Sequence, residues 1–295
     1  MSTVNKLAKR GLINPPNDVK SNTMYETVVG SVAYGVSDDL SDFDVNGFFI
    51  PGAARLFPSM NGHLLGFDAD PKAPKAYQQH HIQDGAREWD LNIYGITTYF
   101  RLCLDNNPNM VDTLFTPREC VLHSTPVAEM VRERRELFLH KKCWVKYKGY
   151  AYGQLHKMKG KEPEEGSKRW ILRERHGFDV KYAYHLVRLL YEAEMILAEG
   201  TIEIQRHREH LKAIRRGEVS QDDILRWAGE KEAHLERLYE TSTLRAEPAR
   251  EEIKNLLLTC LEHHYGSLAE LAAVRAASTK ADDVIRQIRE ILETV

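Results

Sequence analysis

The sequence has few cysteines, no long apolar run and little net charge, and each absence excludes a class of protein. Its four cysteines lie far apart and form no C-x-x-C pair, so we expect neither a disulfide framework nor a zinc ribbon. No stretch approaches the roughly twenty apolar residues needed to cross a bilayer, and the first twenty residues lack the apolar core of a secretory signal. These absences favour a protein of the reducing cytoplasm that makes no membrane contact.

The charges nearly cancel, with 41 lysines and arginines against 43 aspartates and glutamates and a formal net charge of -2. This balance excludes a protein coated in basic charge, but it permits a local basic groove. Composition therefore neither supports nor excludes nucleic-acid binding. The 295 residues exceed the usual size of one hydrophobic core, which predicts two packed units or one core with a large helical appendage.

Residue patterns on the N-terminal side predict strands and one helix. Residues 24–30, MYETVVG, are rich in β-favouring side chains and end in glycine, and residues 42–50, DFDVNGFFI, alternate before they become apolar. A third strand is predicted at about residues 88–94, and a helix follows it in ITTYFRLCLDNN. Residues 59–83 show no periodicity, so we expect a long loop or an irregular hairpin there.

Beyond Pro126 the apolar residues recur at helical spacing, which predicts a helical second half. Breaks are expected at residues 160–166, at Gly200, near Gly217 and at Pro248. Ser220 is a suitable N-cap for the helix that follows it, because its hydroxyl can accept a hydrogen bond from an unpaired backbone N–H group of the first turn.

Two short motifs in the first fifty residues are typical of phosphate and metal chemistry. Gly30 and Ser31 fall at a predicted strand-to-helix turn, where backbone N–H groups and a hydroxyl can approach a phosphate. Asp42 and Asp44 lie two apart on a predicted strand, so their side chains share a face at roughly 7 Å between Cα atoms. Two carboxylates beside a phosphate are suited to Mg²⁺, which prefers oxygen ligands. An isolated D-x-D is more often an acidic turn before a strand; the adjoining Gly-Ser turn favours the metal site.

The two motifs together resemble the signature of the DNA polymerase β nucleotidyltransferase superfamily, in which h-G-S is followed after about ten residues by D-h-D. The fuller pattern, GSVAYG with SDFDVNG, is similar to that of the RNA repair pathway DNA polymerase beta family. Further similarity lies in WDLNIYGITTYFRLCLDNNPN, in GYAYGQL and in DVKYAYHLVRLLYEAEMIL. The resemblance covers roughly Met24 to His264.

The resemblance implies an α+β fold in which a polymerase-β-like nucleotidyltransferase domain with a small mixed sheet, residues 1–125, precedes a helical domain, residues 126–295, that completes the cleft. It also implies a third carboxylate four residues before an aromatic residue at the strand end. Asp90 with Tyr94 fits that pattern, so Asp42, Asp44 and Asp90 are the implied catalytic and metal-binding residues. Glu88 would face the same side of the strand and remains an alternative.

The reaction implied by the resemblance is attack of a hydroxyl on the α-phosphate of a nucleoside triphosphate, with two Mg²⁺ or Mn²⁺ ions and release of pyrophosphate. The implied acceptor is an RNA end, for example that of a tRNA. Two other functions remain open: transfer to a small molecule or a protein hydroxyl, and a non-catalytic RNA-binding or antitoxin module with the same fold.

Lys181, His185, Arg188 and Glu192 are spaced four, three and four apart, which places them on one stripe of a predicted helix. The stripe could meet the triphosphate or the acceptor strand, since Lys and Arg are the usual phosphate partners, or it could be a solvated face. With Gly30, Ser31 and Tyr34 of the turn, the three basic residues of the stripe, Lys181, His185 and Arg188, form the candidate nucleotide-binding set.

Three other groups of residues carry weaker signals. His80-His81, His207 with His210, and His263-His264 have no cysteine or carboxylate that completes a closed zinc set in the sequence. The lysines of residues 141–161, interleaved with Trp144, Tyr147, Tyr150 and Tyr152, fit either a nucleic-acid track or an amphipathic helix with a tyrosine core face. Cys103 and Cys260 lie in apolar helical patterns and are expected to be buried.

Overall fold

A computed structural model of the chain describes residues 1–37, 43–56, 75–85, 87–160 and 164–267. Its strands are β1 (Thr23–Val28), β2 (Phe43–Phe49), β3 (Ala76–Asp84), β4 (Arg87–Gly95) and β5 (Val121–Ser124). They form one sheet in the order β3-β4-β2-β1-β5. β2 and β4 are parallel, whereas all other neighbours are antiparallel. The predicted α+β class with a small mixed sheet is confirmed.

Short helices accompany the sheet, and longer helices follow it. Those within the sheet region are α1 (Thr3–Lys9), α2 (Asn17–Asn22), α3 (Gly30–Ala33), α4 (Ala53–Leu56), α5 (Ile96–Leu104) and α6 (Pro108–Phe115). Those after β5 are α7 (Pro126–Glu133), α8 (Cys143–Gly160), α9 (Lys168–His176), α10 (Val180–Glu199), α11 (Arg208–Arg215), α12 (Gln221–Thr241) and α13 (Arg250–Tyr265). No helix within the described ranges is both long and apolar enough to span a bilayer.

The ends of the later helices follow the predicted local signals. α10 is followed by Gly200 with φ of 69°, and α11 is followed closely by Gly217 with φ of 72°. Glycine adopts this left-handed conformation without the penalty that a Cβ atom brings. The Ser220 side chain accepts a hydrogen bond from the backbone N–H of Asp223 at 3.1 Å, which confirms it as the N-cap of α12.

The two faces of the sheet pack against different partners because side chains alternate along each strand. Val45 and Leu91 are fully buried on the face that α1 covers. Tyr25 and Phe48 belong to the other face and join the large core made with the later helices. Even-numbered residues of β2 and β4 therefore point toward the helical half of the molecule.

Two local predictions need correction. Part of the region predicted as a long loop or irregular hairpin is a strand: β3 pairs with β4, and the pairing shifts register between Gln79 and Ile82. The hairpin alternative is thus the correct one for residues 76–83, while residues 59–74 lie outside the described part of the chain. The β-bulge interrupts the alternation of side chains, which explains why the sequence shows no period there. Helices α1 and α2 were not predicted.

α10 lies at the centre of the helical half. It packs against α8, α11 and α12, and its buried residues fall on all sides of the helix. This position buries Arg188 and Glu192, so that part of the polar stripe predicted on this helix is not a solvated face, whereas Lys181 at the start of the helix is exposed. All four cysteines are also buried, as expected for Cys103 and Cys260.

Candidate active site

Asp44 and Asp90 are neighbours in the sheet. They are directly paired in the parallel register of β2 and β4. Because in-register residues of parallel strands point to the same face and neighbouring strands lie about 4.8 Å apart, the two carboxylates stand side by side. Asp42, the first acid of the predicted motif, lies outside the described residues.

The predicted glycine turn is in contact with this acid pair. The backbone N–H of Val29 donates to the carbonyl oxygen of Asp44 at 2.8 Å. Gly30 has φ of 67°, and a Cβ atom placed on it would lie only 2.9 Å from Oδ2 of Asp44. The close approach requires a residue without a side chain at position 30. Ser31 follows within α3 and is half-buried.

A cleft of about 440 Å³ opens beside Asp44, between the sheet and helices α6 and α10, and Asp90 is not among the residues that line it. Gly30 and Asp44 line it, and Asn46 and Asn92 line it further along the two strands. His185 and Arg188 of α10 also line the cleft, as do residues of α6. The volume falls within the range of small-molecule and cofactor sites, so a nucleotide-sized ligand could be accommodated.

The β3–β4 hairpin brings a histidine to Asp90. The backbone N–H of His81 donates to Oδ1 of Asp90 at 2.7 Å, and Nδ1 of His81 lies 2.5 Å from Oε1 of Glu88. Ligand-type atoms of His81, Glu88 and Asp90 all lie within 4.8 Å of one another. The sequence analysis found no carboxylate that completes a set with His80-His81; the hairpin supplies two, because the bulged strand folds back on β4.

A buried polar network forms the floor of the cleft. Nη1 of Arg188 donates to Oδ2 of Asp112 at 2.5 Å and to Oε1 of Glu192 at 3.2 Å. The hydroxyl of Tyr34 accepts from Arg188 and donates to Asp112. All four residues are buried, each at most 5% exposed. Since Tyr34 directly follows α3, the network fixes the end of the glycine turn against α6 and α10.

Burial sets the protonation of this network. It raises the pKa of Asp112 despite the opposing charge of Arg188, and it raises the pKa of Glu192 well above its usual value. Burial acts to lower the pKa of Arg188, but the charges of Glu192, Tyr34 and Asp112 outweigh it and raise that pKa well above its ordinary value. Burial disfavours two charged carboxylates beside one arginine, so the network is neutral when Arg188 is charged and one of the two carboxyls is protonated.

The remaining candidate residues of α10 differ in their surroundings. Lys181 is exposed near the start of the helix and is not among the lining residues of the cleft. His185 lines the cleft, and burial, reinforced by the charges of Arg188 and Lys181, lowers its pKa well below the usual value. His185 is therefore a neutral imidazole at neutral pH, able to donate or accept a hydrogen bond but not to supply charge.

The lysine and aromatic residues of α8 divide between the two predicted roles. Trp144 and Tyr147 are buried in the core, whereas Tyr152 is 48% exposed. Lys148 forms ion pairs with Glu232 and Glu236 of α12 at 2.9 and 2.5 Å. The core side of α8 thus matches the amphipathic interpretation, and the lysine at its middle is engaged within the protein.

Several polar residues of the cleft were not predicted from the sequence. They are Asn46, Asn92, Asn107, Asn109 and Asp112. Two of them carried a usable signal, because Asn46 and Asn92 lie two residues beyond Asp44 and Asp90 and therefore share their strand faces. The other three lie on or next to α6, whose position over the cleft depends on tertiary packing.

A known protein family matches most of the chain. The sequence model described as the RNA repair pathway DNA polymerase beta family matches residues 7–259. The match spans most of the 295 residues. It starts at residue 7, whereas the similarity identified from motifs starts at about residue 24. No curated protein matches the sequence.

Proposed function

The chain belongs to the RNA repair pathway DNA polymerase beta family, and from that premise we propose that it transfers a nucleoside monophosphate from a nucleoside triphosphate to the hydroxyl of an RNA end. The family's description supports a polymerase β-type nucleotidyltransferase with a part in RNA repair. The metal ions, the nucleotide and the acceptor are our proposal.

The observation that carries this proposal is the register of Asp44 with Asp90 beside Gly30, at the mouth of a nucleotide-sized cleft. Paired carboxylates suit two Mg²⁺ or Mn²⁺ ions, since these cations prefer oxygen ligands. Asp44 and Asp90 would hold them together with Asp42, whose assignment rests on the motif. Such ions, when bound, lower the pKa of the attacking hydroxyl and neutralise charge on the leaving group.

The residues of the chain contribute positioning and proton transfer. The oxygen of the acceptor hydroxyl forms a bond to the α-phosphorus, the bond from that phosphorus to the bridging oxygen breaks, and pyrophosphate leaves. Asp90 would take the proton of the attacking hydroxyl. Gly30 lets the triphosphate approach the backbone, and neutral His185 can hydrogen-bond a phosphate oxygen without adding charge.

The proposal is tested by incubating the native chain with each labelled nucleoside triphosphate, Mg²⁺ or Mn²⁺, and one of three acceptors: total RNA, total protein or a small-molecule mixture. We expect label in the RNA arm, one pyrophosphate released per nucleotide incorporated, and complete loss of both with excess EDTA. Label in the protein or small-molecule arm would reassign the acceptor. Absence of transfer in every arm, with RNA still bound by the Asp42→Asn variant as by the native chain, would indicate a binding module.

A further prediction concerns the variant Gly30→Ala. Gly30→Ala should lower the transfer rate about a hundredfold, because the new Cβ atom displaces Asp44 and misplacement of about 1 Å is enough for such a loss. The left-handed backbone should cost about 1 to 2 kcal/mol of stability.

Gly11→Ala is the matched control for that variant. Gly11 has φ of 72° and no atom within 4 Å of the added Cβ, so it bears the same backbone strain without touching Asp44. Thermal unfolding should show similar destabilisation in the two variants, while initial rates should fall only for Gly30→Ala. Equal rates for both would show that the contact of Gly30 with Asp44 has no part in catalysis.

A further inference from the structure

Asn46 is a largely buried polar residue at the wall of the cleft. Its side chain shares the strand face of Asp44, lines the cleft, and is 8% exposed. Within the described part of the chain, no residue makes a hydrogen bond to the Asn46 side chain. Its amide therefore faces the space of the cleft, where a bound ligand can meet both its donor and its acceptor.

Asn92 stands directly beside Asn46. The two are paired in the same parallel register that pairs Asp44 with Asp90, so a pair of amides lies one strand repeat beyond the pair of acids. The Oδ1 atom of Asn92 accepts a hydrogen bond from Nε2 of Gln78 at 2.9 Å. This bond orients the Asn92 amide at the wall of the cleft.

The spacing of the two pairs matches one part of a nucleotide. Two residues along a parallel strand span about 6.6 Å. In a nucleotide the ribose is joined to the α-phosphate through one ester oxygen and the 5′ carbon. The sugar hydroxyls therefore lie at a comparable distance from the phosphorus, and the base lies farther away. A ligand whose α-phosphate is at the acids therefore presents its sugar to the amides.

We propose that Asn46 and Asn92 bind the sugar hydroxyls of the incoming nucleotide, and that the substrates are accordingly ribonucleoside triphosphates. This inference rests on the proposed function. An amide offers both a donor and an acceptor, and a vicinal diol needs both. A deoxyribose would take one hydrogen-bond partner from the Asn46 amide, and a site built to bind a substrate hydroxyl discriminates against the analogue that lacks it.

The test is equilibrium binding in Mg²⁺ without acceptor, using each ribonucleoside triphosphate and its 2′-deoxy and 3′-deoxy counterparts. The native chain should bind its best ribonucleotide about tenfold or more tightly than at least one of the deoxy forms. Asn46→Ala should weaken ribonucleotide binding about tenfold while leaving that deoxy form within a few-fold, so that the preference collapses. Asn92→Ala, at a less buried position, should act in the same direction. Asn255→Ala, the control at an exposed position on α13, should change neither ribonucleotide binding nor the preference over the deoxy form.

The possible outcomes separate this inference from the function beneath it. A native chain that binds no nucleoside triphosphate would overturn both. Equal binding of ribose and deoxyribose forms, or a preference that survives in Asn46→Ala and Asn92→Ala, would overturn only the role of the amides. The two alanine variants could instead change the preference between RNA acceptors with ordinary and deoxy 3′ ends and leave nucleotide binding unaltered. That result would assign the amide pair to the acceptor and refute the proposal.

Discussion

Asp90→Asn should lower the rate of nucleotide transfer about a thousandfold, and Asp44→Asn should do the same. A loss of this size corresponds to about 4 kcal/mol of transition-state stabilisation, the scale expected when a ligand of a catalytic metal is removed. The two acids are paired across β2 and β4, so each variant removes one of two adjacent carboxylates from the same site. Initial rates at saturating nucleotide and metal provide the measurement.

Glu88→Gln is the matched control, because it removes the same charge from the same strand face. Its carboxylate is engaged by Nδ1 of His81 and by Nε2 of Gln83, which lies 2.9 Å from Oε2. Glu88 also lies two residues along β4 from Asp90, the residue that is paired with Asp44. We expect a loss of less than about tenfold. A Glu88→Gln variant as inactive as Asp44→Asn, beside a mild Asp90→Asn, would make Glu88 the third carboxylate.

Local patterns of sequence identified most of the fold. β2 and β4 were predicted because alternation along a strand with one buried face is visible in the residues themselves. β3 was missed as a regular strand because it lies at the sheet edge, is largely exposed and contains a bulge, so none of the usual periods survives in it. α1 was missed because its seven residues are too short for helical periodicity to be recognised.

The candidate site depends on contacts that no local pattern contains. Asp44, Asp90 and Gly30 were selected from motifs, but the register that sets the two acids side by side is a property of the whole sheet. Asp112 looks like an ordinary helix residue in PNMVDTLF, and its burial follows from pairing with Arg188, which lies 76 positions later. Asn46 required the strand faces to be known before its position in the cleft could be recognised.

The buried network supports the second large prediction. Arg188→Met should destabilise the protein by about 3 to 5 kcal/mol at neutral pH, because Asp112 and Glu192 remain buried without their only positive partner in the network. The transfer rate should fall as well, since Tyr34 loses the arginine that holds the end of the glycine turn. Chemical denaturation monitored by circular dichroism measures the first effect, and the labelled-nucleotide assay measures the second.

The pH dependence of this variant has a definite sign. Burial raises the pKa of both Asp112 and Glu192 in the folded protein, so the stability they contribute is present below their unfolded pKa values and is lost as pH rises through the folded ones. Removing Arg188 removes the charge that opposes this rise for Asp112. The difference in stability between native and variant proteins should therefore be smallest near pH 5 and should grow toward pH 8.

A triple variant distinguishes the charge of the network from its shape. Arg188→Met combined with Asp112→Asn and Glu192→Gln removes both carboxylates that pair with the arginine while keeping similar volumes. It should recover most of the stability lost in Arg188→Met, and its stability should no longer fall relative to the native chain between pH 5 and pH 8. If the triple variant stays as unstable as the single one at all pH values, the loss comes from packing around Arg188. A recovered fold with transfer still impaired would show that Arg188 positions Tyr34 and the glycine turn for catalysis, beyond neutralising two buried acids.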